Sequence, residues 1–149
     1  MRTHTLNRYP QRSELARWIF VGAVAGAMSV LVFHQGVIAI LHSLGVVPGA
    51  PYPLQATRPF GVPVIWSITF WGAVWGALLA ASLGRFDGLA LVGAATIFGA
   101  AFPSLVAVLV VGPLKDRPVS LGVALLVNAA WGLGTGLLLA LFGRRNEPA

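Results

Sequence analysis

The stretch Trp71–Arg85, WGAVWGALLAASLGR, decides the fold. It carries no charge before Arg85, and Gly72, Gly76, Ala80 and Gly84 recur at every fourth position. Residues four apart lie on one face of a helix, so this spacing strips a ridge of side chains and lets a second backbone approach closely. The pattern returns at Trp131–Arg145, WGLGTGLLLALFGRR, where seven of fifteen positions are identical. Leu, Ala and Gly coincide easily in apolar sequence, so the Trp71/Trp131 and Arg85/Arg145 matches carry most of the weight. The reading is two related membrane helices, each with a small-residue ridge and an arginine at one end. A shorter match, VGA at 21–23 and again at 92–94, extends the resemblance to the helices that precede them. Together these suggest two helical hairpins in the same orientation, a parallel internal repeat.

Composition excludes a soluble domain. Hydrophobic residues make up 57% of the 149 and charged residues only 9%, against roughly 25% charged in soluble globular proteins. The segments 18–57, 59–84, 88–114 and 118–143 hold no Asp, Glu, Lys or Arg. Each exceeds the roughly 20 residues that cross a bilayer core. The expectation is an all-α integral membrane protein with four transmembrane helices, at about 18–44, 64–83, 89–111 and 119–142, forming one domain over 18–143.

The net charge of +6 would suggest nucleic acid in a soluble protein, but here topology accounts for it. Arg2, Arg8, Arg12, Arg17, Arg85, Arg144 and Arg145 fall on one side of the spans; Arg58, Lys115 and Arg117 fall on the other. The excess of positive charge places residues 1–17, the middle turn and residues 144–149 in the cytoplasm. No binding to nucleic acid is expected. The basic N-terminal tail leads into too long an apolar run for a cleaved signal and reads as an uncleaved signal-anchor. Nine Arg to one Lys with abundant Ala and Gly point to a bacterial inner-membrane protein.

Between the first two spans, residues 48–63 (PGAPYPLQATRPFGVP) hold five prolines. Proline lacks an amide donor and fixes φ, so an extended, stiff external loop is expected, folded over the helix ends. Tyr52 and Phe60 suit the interface. The turn 84–88 is short enough to make spans two and three antiparallel neighbours. Pro103 should kink or break span three unless neighbouring groups compensate.

Polar side chains within the spans gather in the half facing that loop. Counted along the helices, His34, Gln35, Ser67, Ser104 and Asn128 all fall there, while the inner half is chiefly Ala, Gly, Leu, Val and Trp. These five form a candidate polar cavity open to the external side. Intramembrane polar groups are costly and often functional. The competing reading makes Gln35 and Asn128 hydrogen-bonding glue between helices and His34 a neutral group bonded to a carbonyl. His42 reads as a solvated helix-end residue. Gly22, Gly26, Gly72, Gly76, Gly132 and Gly136 are the candidate helix-packing positions.

Catalytic and cofactor chemistry finds little support. There is no cysteine, hence no thiolate metal site or Cys nucleophile. His34 and His42 share one helix and do not face each other as a haem would require. No Asp or Glu lies in any span, which disfavours a carboxylate proton relay. No catalytic motif is present. The layout is similar to that of small four-helix bacterial inner-membrane proteins, and no motif is specific enough to name a family. Two functions follow as expectations, neither enzymatic and neither needing a cofactor or metal. One is a subunit or assembly partner of a membrane complex, a homo-oligomer or bound to another membrane protein within the lipid bilayer, held through its glycine ridges. The alternative is a small transporter, channel or binder for a neutral solute.

Overall fold

The charge-free runs fold as helices. The computed structural model describes residues 12–58, 60–116 and 118–143; the tails 1–11 and 144–149, with Arg2, Arg8, Arg144 and Arg145, lie outside, as do Pro59 and Arg117. Four helices are long and apolar enough to cross a membrane: Ser13–Ser43, Val64–Leu83, Gly88–Leu114 and Leu121–Phe142. The first comprises α1 (Arg12–Ser29), a π-helical turn (Val30–His34) and α2 (Gln35–Ser43). The second is α3 (Val64–Leu83). The third comprises α4 (Gly88–Val106), a second π-helical turn (Ala107–Val111) and α5 (Gly112–Leu114). The fourth is α6 (Leu121–Phe142).

The first helix starts before Trp18, with Glu14 in its first turn, where the unpaired amides of a helix start favour a negative charge. It stops at a left-handed glycine. Gly45 has φ +71, its amide bonds His42 O at 3.0 Å, and Val46 N bonds Leu41 O at 2.9 Å. These two bonds satisfy carbonyls that the last turn would otherwise leave open. The fourth helix begins at Leu121 and not 119, because Pro118 and the extended Ser120 (ψ 124) precede it. Pro103 does not break the third helix. The ladder instead loosens beyond it: the Ala107 amide is shared by the carbonyls of Pro103 and Ser104, and the π-helical turn follows.

Between α2 and α3 the loop forms a two-stranded ribbon, β1 (Ala56–Thr57) against β2 (Val62–Pro63), antiparallel with Ala56 opposite Pro63. Gly61, at φ +67, closes it, donating its amide to Thr57 O at 2.7 Å.

Two helix pairs make the closest contacts, α1 with α3 and α4 with α6. In the first pair, a methyl placed on Gly76 would meet the Gly22 carbonyl and lie 2.9 Å from Gly26 Cα. In the second, a methyl on Gly132 would meet the Ala95 carbonyl and lie 3.2 Å from Gly99 Cα. Helix α6 is the hub, because its opposite side packs on α1 and on the first π-helical turn. There Trp131 is buried and donates its indole N–H to Gly26 O at 2.8 Å. Gly134 leaves the space that the Phe33 ring fills. Helices α3 and α4, although joined by only four residues, touch little. Trp75 and Phe98 meet edge-to-face between them with ring centroids 6.1 Å apart, and such bulk keeps the two axes apart where glycine would let them close.

The two pairs share a contact register. Gly72 faces Gly26 O and Gly132 faces Ala95 O. Their second-helix partners are thus offset by sixty residues and their first-helix partners by sixty-nine. The VGA match at 21–23 and 92–94 would need seventy-one, so it is two residues out of the register in which the helices pack. Trp71 and Trp131 also differ: the first is exposed and the second buried.

Candidate functional site

The local chemistry of the site begins with the first π-helical turn. In an α-helix the Gln35 amide would bond Leu31 O. Here it bonds Val30 O and Val32 O, so the Leu31 carbonyl is skipped. An open carbonyl among apolar side chains costs free energy, and another donor is needed. Tyr52, reaching in from the proline-rich loop, donates its hydroxyl to Leu31 O at 2.8 Å. Its backbone amide donates to Gln35 Oε1 at 2.6 Å. Tyr52 itself sits at φ +53, a left-handed conformation that costs a non-glycine residue about 1–2 kcal/mol. Two hydrogen bonds to one turn of helix hold it there. Further along the loop, the amides of Val64 and Ile65 bond Gln55 O and Pro53 O at 2.9 and 3.0 Å. The loop is therefore tied at both ends to the helices it joins.

Gln35, buried at 2% exposure, sets the state of its neighbour. Because its Oε1 accepts the Tyr52 amide, its Nε2 is the donating side, and that atom lies 3.3 Å from His34 Nδ1. An imidazole nitrogen that accepts carries no proton, so the ring proton is on Nε2. His34 thus presents a single donor, Nε2–H, and its orientation is set by the same loop contact that anchors Tyr52.

His34 and Gln35 line a cavity of about 1170 Å³ beneath the loop. Its apolar lining comes from helices, with Ile38 on α2, Val64 and Ile68 on α3 and Leu114 on α5, and also from the loop, with Val47, Ala50, Pro53 and Ala56. Its polar wall comes from the connecting segments: Gln55, Thr57 and Arg58 from the ribbon, Lys115 and Asp116 from the turn after α5. Among the described residues, neither cation makes an ion pair with Asp116. The volume is somewhat above the range of small-molecule sites, roughly 300–1,000 Å³.

Of the five residues expected to share one cavity, the structure brings two there. Ser67, half-buried on α3, is not in the lining. Ser104 and Asn128 lie elsewhere and bond each other, Asn128 Nδ2 to Ser104 Oγ at 3.1 Å, joining α4 to α6. Position along a helix places a residue's depth, but which face it presents depends on packing. The π-helical turn also rotates every side chain beyond it relative to a regular helix. His42 is exposed and its Nδ1 lies 3.2 Å from Val47 O. The six candidate packing glycines all lie where a methyl would clash with a neighbouring helix.

Sequence reasoning missed Tyr52 as an anchor and took Arg58 and Lys115 only as markers of sidedness. It also missed Trp18, whose indole donates to Ala80 O at 2.8 Å, and the Phe33–Gly134 contact. Among the described residues no three His, Asp or Glu side chains come together as a metal-ligating group. Ser29 is fully buried and its hydroxyl has no partner among the described residues. Comparison with known protein families, with curated proteins and with solved structures finds no match.

Proposed function

We propose that this chain is a small non-enzymatic multi-pass membrane protein that binds a solute in the cavity beneath its proline-rich loop. The observation that carries this reading is the wall at His34: a π-helical turn, a left-handed tyrosine and a buried glutamine together orient a residue that lines the space and whose Nε2 has no partner among the described residues. Such turns often accompany functional sites in helices, and each element here costs conformational energy that ordinary helix packing does not require.

In this reading the protein sits in a bacterial inner membrane with both termini cytoplasmic, and the cavity opens to the external side. The glycine ridges hold the two hairpins, which descend from one duplicated unit. The alternative role, a subunit held to a partner by those ridges, needs glycine faces left over after folding. Gly22, Gly26, Gly72, Gly76, Gly132 and Gly136 are all occupied within the chain, whereas Gly36, Gly93 and Gly122 meet nothing within 4 Å; solute binding is preferred on the strength of the wall at His34.

Cysteine labelling tests it, since the native chain has none to interfere. A small membrane-impermeant thiol reagent added outside intact spheroplasts should label His34→Cys, with Leu54→Cys as an exposed control. Labelling of the control alone would remove the cavity reading.

A further inference from the structure

The cavity lining combines apolar side chains with two cations, Arg58 and Lys115, and we infer that its ligand is an anionic amphiphile: an apolar chain, an acceptor oxygen and a phosphate or carboxylate head. This deepens the solute-binding reading and rests on it. Ile38, Val64, Ile68 and Leu114, all on the long helices, offer a surface suited to a hydrocarbon chain. Among the described residues His34 Nε2 has no partner, and as an N–H it suits an acceptor such as an ester or carboxyl oxygen. Beside these, Arg58 and Lys115 are exposed and, among the described residues, make no ion pair, with Asp116 the one carboxylate in the lining. That net positive charge selects an anionic head, and a neutral solute would leave it unused. A lipid suits the walls better than a free phosphate does, because the apolar wall would stay wet under a head alone.

The test is native mass spectrometry of the intact protein released from a neutral detergent, with lysophosphatidylglycerol and lysophosphatidylcholine of equal chain length. Glycerol 3-phosphate serves as the chainless competitor. The anionic lipid should be retained about tenfold more than the zwitterionic one, the scale of one charge-assisted contact. Arg58→Gln with Lys115→Gln should erase that preference, and in the wild type added salt should weaken it. Ile38→Asp with Ile68→Asp, which puts carboxylates on the apolar lining, should strongly reduce retention of both, with the helical circular dichroism melt as the check on folding. Equal retention of the two lipids would overturn the ligand class, as would a preference that survives both loss of the cations and added salt. Competition by glycerol 3-phosphate would overturn the requirement for a chain and point to a soluble phosphate. If the folded Ile38→Asp, Ile68→Asp variant binds the anionic lipid as wild type does, the cavity itself is not the site, and the solute-binding reading fails with it.

Discussion

Gly76→Ala is the smallest change that tests how the first hairpin is held. The added methyl would meet the Gly22 carbonyl, lie 2.9 Å from Gly26 Cα and 3.0 Å from Gly26 N. All three are backbone atoms of a regular helix, so none can turn aside as a side chain would. Carbon atoms rest about 3.5–4.0 Å apart, and α1 and α3 must therefore separate locally by about 1 Å. Separation forfeits dispersion contacts along the seam, and overpacking of this kind costs roughly 1–3 kcal/mol. Gly36→Ala is the control, because nothing lies within 4 Å of a methyl there, and alanine favours a helix over glycine by up to about 1 kcal/mol. Thermal unfolding in detergent, followed by helical circular dichroism, should show Gly76→Ala destabilised and Gly36→Ala unchanged or slightly stabilised. The double variant Gly26→Ala, Gly76→Ala should cost less than the sum of its singles, because helices already parted accept the second methyl more easily. Wild-type stability for Gly76→Ala would refute backbone contact at this seam.

Tyr52→Phe removes the hydroxyl that satisfies Leu31 O; a loss of about 1 kcal/mol is expected, with faster protease cleavage in residues 48–58 as the readout. Gly134→Ala should destabilise by pushing on the Phe33 ring. Phe33→Leu should recover much of that loss in the same melting assay, because a side chain can yield where backbone cannot. For the Asn128–Ser104 bond, a double-mutant cycle with Asn128→Ala and Ser104→Ala should give a coupling near 0.6 kcal/mol, the average for bonds between membrane helices. Zero coupling would mean the bond does not hold α4 to α6.

The spans were legible because their cause is local. A run without charge of more than about 20 residues can bury its amides in hydrocarbon only as a helix, and Val64–Leu83 is delimited in the sequence by Pro63 before it and Gly84 after it. The glycine spacing was legible for the same reason, since 3.6 residues per turn puts Gly72 and Gly76 on one face whatever lies opposite. What lies opposite was settled by the tertiary structure. A bare ridge accepts any close backbone, and it was Trp75 and Phe98 that held α4 away and the bareness of Gly22 and Gly26 that admitted α3 to α1. The site was less legible still. A π-helical turn has no residue signature, because it arises when a contact elsewhere stabilises a carbonyl the ladder has skipped, and the donor, Tyr52, lies 21 residues from Leu31. Asn128 and Ser104 share a depth with His34 in any sequence projection. Only the packing of α4 on α6 turned them toward each other, and only the tertiary fold brought Gln35 on α2, Arg58 in the loop and Lys115 after α5 onto one space.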